Sequence, residues 1–127
     1  MAKIRAVDPS RFAFHLPADR SIQPAEQRPG PPERIDGLTA GIVHMTHAPP
    51  HGGEMHPDGD ELLYVISGRV QVICDSDPAP LPLATGEACI VPKGEWHRLE
   101  MLEPTTLLHI TPGPGHEHRP VGANSDK

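Results

Sequence analysis

The sequence predicts an all-β domain, and three observations carry that expectation. Proline and glycine together supply 29 of the 127 residues. That argues against a helical bundle, because each interior proline costs a helix roughly 3 kcal/mol and removes a backbone donor. The leucine, isoleucine, valine and phenylalanine residues are concentrated, with 19 of 27 between Leu38 and Ile110, so this stretch can bury a core on which the ends must lean. Within it, short alternating apolar runs are separated by turn residues, the pattern of a sandwich or barrel.

The elements follow in order. Residues 3–7 and 12–16 each read as a short strand. From residue 17 to 36 the chain is polar and carries Pro24, Pro29, Pro31 and Pro32, so it reads as an extended arm rather than a helix or a central strand. Strands are then expected at 38–47, 61–67, 69–74, 87–91, 96–101 and 105–111. Ser67-Gly68 suits a hairpin turn, and 75–80 a longer loop. Beyond Thr111 a Pro-Gly-Pro-Gly run leads into polar residues, which predicts an irregular tail. The expected organisation is an N-terminal segment with a Pro-rich arm (1–36), a barrel (37–112) and an irregular, polar C-terminal tail (113–127).

Composition removes several functions. A net charge of −6 without a basic cluster makes nucleic acid a poor partner. No apolar run approaches the roughly 20 residues that span a bilayer, and the first twenty residues hold no signal-peptide core, so no membrane role is expected. Cys74 and Cys89 make neither a disulfide framework nor a zinc quartet, and read as reduced residues of a cytoplasmic protein. Nine histidines against four aromatic residues direct attention to imidazole chemistry.

The chemistry concentrates in two stretches. In the first, Glu54 and His56 lie two residues apart and share a face in an extended segment. A Pro-Asp-Gly-Asp turn follows and delivers Glu61 to an apolar strand, on which Glu61, Leu63 and Val65 share one face. The other face, Leu62, Tyr64 and Ile66, is also apolar, so the strand is expected to be covered on both sides. A carboxylate pointing into such an interior is costly unless something pairs with it, and a cation is one such partner. In the second stretch a strand enters the turn Pro92-Lys93-Gly94 and leaves with His97 as its first inward residue. Two facing hairpins would bring His56, Glu61 and His97 together.

These residues resemble the cupin superfamily, whose motifs are Gly-x5-His-x-His-x3–4-Glu-x6-Gly and Gly-x5-Pro-x-Gly-x2-His-x3-Asn. His56, Glu61 and Gly68 match the later part of the first, and Gly86, Pro92, Gly94 and His97 match the second at every spacing. The resemblance covers roughly residues 38–111 and implies a double-stranded β-helix (jelly-roll) barrel with a divalent metal near its centre. Two positions depart from the pattern: Glu54 stands where the family has its first histidine, and Met101 where it has the asparagine. Two histidines and two carboxylates neutralise a divalent ion, whereas three histidines and one carboxylate leave one positive charge. The extra oxygen donor hardens the site, favouring manganese or iron, with nickel or zinc as the other options. The fourth ligand is Glu54, or His51 if Gly52-Gly53 turns the chain, or no protein group.

The expected activity is that of a metal-binding cupin acting on a small organic molecule, first of all as a dioxygenase-like oxidoreductase. A metal-dependent isomerase or lyase, and a non-catalytic ligand-binding or sensor cupin, are the alternatives. His56, Glu61 and His97 would be metal ligands, and Glu54 a ligand or a general base. Leu63, Val65, Leu99 and Met101 would give a narrow aliphatic pocket, with His44, His51 and His109 as polar lining. His116 and His118 read as solvated, and Trp96 as facing away from His97. The N-terminal strands and arm make best sense packed on a neighbouring subunit, giving a homodimer.

Overall fold

The computed structural model describes residues 3–49 and 52–120. Alternating side chains and frequent turn residues give eleven strands and no helix among them. They are β1 (Phe12–Pro17), β2 (Gln23–Glu26), β3 (Gly37–Met45), β4 (Gly53–Met55), β5 (Glu61–Ser67), β6 (Arg69–Cys74), β7 (Leu81–Ala84), β8 (Ala88–Val91), β9 (His97–Met101), β10 (Thr105–Gly113) and β11 (Glu117–Arg119). Two antiparallel sheets result, ordered β2-β1-β3-β10-β5-β8 and β11-β4-β9-β6-β7. The architecture is a jelly-roll barrel whose sheets are not joined at their edges.

The core lies between the sheets. Leu63 and Val65 of β5, Val91 of β8 and Leu107 of β10 meet Val70 and Val72 of β6 and Leu83 of β7, all buried. Valine and leucine at alternate positions suit this interior, since β-branched side chains pack well on a pleated surface. Val43, Met45, Cys89, Leu99 and Met101 pack against it from the periphery. The β5–β6 turn passes through Gly68, whose φ of +104° and close approach to Pro104 and Thr105 leave no room for a Cβ.

Several expectations are corrected. Residues 3–7 form no strand. The arm contains an edge strand, β2, paired with β1, which pairs in turn with β3. The N-terminal segment therefore joins a sheet of its own chain, with β2 at the edge. The tail is not irregular throughout, because β11 pairs with β4. Strands β4 and β7 had no apolar alternation long enough to announce them. The outer face of β5 is not covered as expected: Ile66 is exposed, and Ile90 on the neighbouring β8 is 69% exposed.

Candidate metal centre

Both sheets contribute to one cluster. Glu54 on β4 lies directly opposite His97 at the start of β9. Glu61 opens β5 opposite Val91 on β8, in the other sheet. His56 sits between β4 and β5, where its carbonyl accepts a hydrogen bond from Gly94 N at 3.0 Å. That bond ties the loop carrying His56 to the turn preceding His97. Donor atoms of Glu54, His56, Glu61 and His97 all lie within 4.8 Å of one another. His56, Glu61 and His97 are buried, and the Glu54 side chain is 26% exposed.

The distances suit a metal. His97 Nε2 is 3.0 Å from Glu61 Oε1 and 3.5 Å from Glu54 Oε1. His56 Nε2 is 3.4 Å from Glu61 Oε2 and 3.6 Å from Glu54 Oε1. Donors about 2.1 Å from a central ion stand roughly 3.0 Å apart when adjacent on an octahedron, roughly 3.4 Å on a tetrahedron and roughly 4.2 Å when opposed. All four separations fall in that range. The protein's own hydrogen bonding leaves the same opening, because neither ring nitrogen of buried His56 has a hydrogen-bond partner. Buried polar atoms are rarely left so. The donor set therefore fits a divalent ion.

Neighbouring groups orient the ligands. His97 Nδ1 faces the Glu95 carbonyl at 3.1 Å. A carbonyl only accepts, so Nδ1 carries the proton and Nε2 points into the cluster. Fully buried Thr111 donates its hydroxyl to Glu61 Oε2 at 2.7 Å and lies 2.8 Å from His109 Nδ1. Its single proton is committed to the carboxylate, so it accepts from His109, which fixes that ring as the Nδ1–H tautomer. Gly41, opposite His109 on β3, makes room for the ring: a Cβ there would come within 2.6 Å of Nε2.

Electrostatics follow from this packing. Burial opposes ionisation of Glu61 and Glu54, but the facing imidazoles of His56 and His97 outweigh it and hold both below the usual carboxylate range. Burial likewise disfavours imidazolium, yet the two carboxylates raise His56 to about 9 and His97 to about 10. Burial pushes His109 down, keeping that ring neutral. Two imidazolium protons therefore balance two carboxylates in a place where a divalent ion would do the same.

The structure brings Glu54, His56, Glu61 and His97 together, and His109 joins them through Thr111. Leu63 and Val65 fill the core beside them, with Leu99 and Met101 at its margin. His44 does not line the interior: it is exposed and bonds Thr106 Oγ1 at 2.9 Å, because it lies on the outward parity of β3. His51 falls outside the described residues. His118, expected in solvent, has Nε2 3.5 Å from Glu54 Oε2 because β11 pairs with β4. Trp96 faces away from the cluster, under the Arg119 guanidinium at 4.1 Å. Thr111 gave no signal of its own, although its parity with Leu107 and His109 on β10 puts it on the inner face.

The Cupin domain family model matches residues 43–111. The chain belongs to the cupin family. This cupin is 32% identical over 84 residues to Protein SchB of Streptomyces halstedii, a match covering 60% of this chain and 58% of SchB. It thus spans less than two thirds of that relative. Among solved structures, a cupin superfamily protein of Desulfitobacterium hafniense superposes with a TM-score of 0.54 at 17% identity, covering 64% of this chain and 72% of the other. The oxalate decarboxylase of Bacillus subtilis, which has Mn(II) centres, gives 0.52 at 22% identity over 64% of this chain and 23% of its own. At these identities the likeness is one of fold.

Proposed function

We propose that this cupin holds one divalent ion, manganese or iron, at Glu54, His56, Glu61 and His97, and acts with it on a small organic molecule as an oxygenase-type oxidoreductase. The observation carrying the reading is the convergence of two imidazoles and two carboxylates from both sheets, with both ring nitrogens of His56 lacking a hydrogen-bond partner. A hard, mixed nitrogen and oxygen set that neutralises the ion suits manganese or iron. When bound, the metal supplies an electrophilic centre with open positions and, if it is iron, redox chemistry.

The chain's own residues do the rest. Glu61 and His97 are held rigidly by Thr111 and the Glu95 carbonyl, so the site is organised before ligand arrives. Glu54 is the partly exposed member of the set and the one nearest to an approaching ligand. The valine and leucine core behind the cluster keeps water from its inner side. A homodimer formed over the exposed Ile66 and Ile90 face is part of this reading, as is a cytoplasmic location consistent with two free cysteines.

The test is metal analysis of untagged protein, followed by oxygen uptake with a panel of small organic acids and phenols. Stoichiometric manganese or iron with substrate-dependent oxygen consumption is expected. No metal, and no uptake of added manganese, iron, nickel or zinc, would refute the metal centre. Metal without turnover, with ligand-induced thermal stabilisation alone, would make this a binding cupin.

A further inference from the structure

The Pro-rich arm brings one cation to the cluster that the metal reading does not use. Arg34 lies in that arm, outside the matched cupin domain. The arm crosses the end of β10 so closely that a Cβ on Gly113 would lie 2.5 Å from the Ile35 carbonyl oxygen and 3.0 Å from Arg34 Cβ. This crossing fixes where the Arg34 side chain begins. Gly113 lies two residues beyond Thr111, whose hydroxyl donates to Glu61, so Arg34 begins beside the strand end that supports the cluster. Yet Nε is buried without a hydrogen-bond partner, and Arg34 forms no ion pair or side-chain hydrogen bond among the described residues. The other arginine near this end, Arg119, is engaged by Asp75 and Trp96.

A guanidinium whose Nε–H is buried and unbonded is costly, and the usual remedy is a planar anion that takes its fork of N–H groups. Charge accounting sharpens the point. With a divalent ion on Glu54 and Glu61 and neutral imidazoles on His56, His97 and His109, the cluster sums to zero and Arg34 leaves one positive charge. We infer that Arg34 is the anchor for a carboxylate of the small molecule that this cupin binds, so that the ligand is a monoanionic organic acid seated between the arm and the metal centre. The inference rests on the proposed metal site and narrows its ligand class.

Charge and shape both predict discrimination against neutral analogues. A charged, bidentate hydrogen bond lost to an apolar group weakens binding about 10- to 100-fold. The experiment uses the full chain loaded with manganese and titrates glycolate and benzoate beside their neutral amides, glycolamide and benzamide, by calorimetry. Wild type, Arg34→Met and Arg34→Lys are compared, with manganese content measured for each. At least one acid should bind wild type at least tenfold more tightly than its amide. Arg34→Met should erase that preference with manganese content unchanged, and Arg34→Lys should keep part of it. Equal affinity for acid and amide in wild type would overturn the inference while leaving the metal centre standing. So would an undiminished preference in Arg34→Met, or loss of manganese from that variant, which would make Arg34 a support of the metal site. Wild type that takes up no metal would defeat the function proposed above. The same titrations on metal-free protein would then decide Arg34, a preference that Arg34→Met abolishes supporting the anchor and any other result overturning it.

Discussion

Thr111→Val tests whether the cluster is held from behind. The substitution keeps the branched shape and removes one hydroxyl at a site with no solvent exposure. Two interactions go with it: the 2.7 Å hydrogen bond to Glu61 Oε2 and the 2.8 Å contact with His109 Nδ1. A hydrogen bond to a charged group contributes about 1.5–3 kcal/mol, and water cannot readily replace it here. At roughly 3–4 °C per kcal/mol for a domain of this size, the metal-free melting temperature should fall by about 5–12 °C. The second consequence is functional. Glu61 loses the donor that sets its carboxylate plane, and removing such a support typically weakens metal binding 10- to 100-fold. Competition with a fluorescent chelator would measure manganese affinity, and circular dichroism the melting temperature, for wild type, Thr111→Val and Thr111→Ser. The serine variant keeps the hydroxyl and should lie near wild type in affinity. Wild-type manganese affinity in Thr111→Val would refute the claim that Thr111 positions Glu61 for metal.

Three other outcomes follow from the same geometry. Glu54→His should retain a metal but shift uptake toward nickel, copper or zinc by raising the site's formal charge from zero to one, and Glu54→Gln should lower manganese occupancy; unchanged metal content and identity in both, measured by elemental analysis, would remove Glu54 from the ligand set. The pH dependence has a definite sign: His56 and His97 are raised to about 9 and 10 in the folded, metal-free protein, so their contribution to stability is full below their unfolded value near 6.5 and lost as pH rises through 9 to 10. Glu54 and Glu61 are lowered, so their contribution is present above about 4.5 and lost as pH falls through their folded values. In chelator the melting temperature should therefore decline from about pH 7 toward pH 10, and a flat profile would contradict the imidazolium–carboxylate cluster. Gly68→Ala forces a Cβ onto Pro104 and Thr105 at φ +104° and should cost at least about 2 kcal/mol in urea unfolding while the metal per folded chain is unchanged; a cost under about 0.5 kcal/mol would show that the turn relaxes freely.

The barrel and three members of the cluster were legible in the sequence because their signals are local. Alternation marks β5, β6 and β10, the spacing of His56, Glu61 and Gly68 places a donor before and at the start of a strand, and the Pro92-Gly94 turn sets up His97. Glu54 followed from its two-residue separation from His56. What escaped depends on partners distant in the chain. Three-residue β4 and β11 carry no periodicity, and they are strands because of long-range pairing, β4 lying between β9 and β11 and β11 having β4 as its partner; the β4–β11 pairing, invisible in a Pro/Gly tail, brings His118 to Glu54. His44 and His109 are both strand histidines, and the pairing of β3 with β10 turns one outward and the other, opposite Gly41, inward. Thr111 and Arg34 are unremarkable residue types. One becomes the support of Glu61 and the other a cation beside the end of β10, with its Nε buried and unbonded, because the sheets and the arm meet there. Sequence determines which side chains alternate and which turns are tight; long-range strand pairing decides which of them share one small, poorly solvated volume, where burial and charge give them their chemistry.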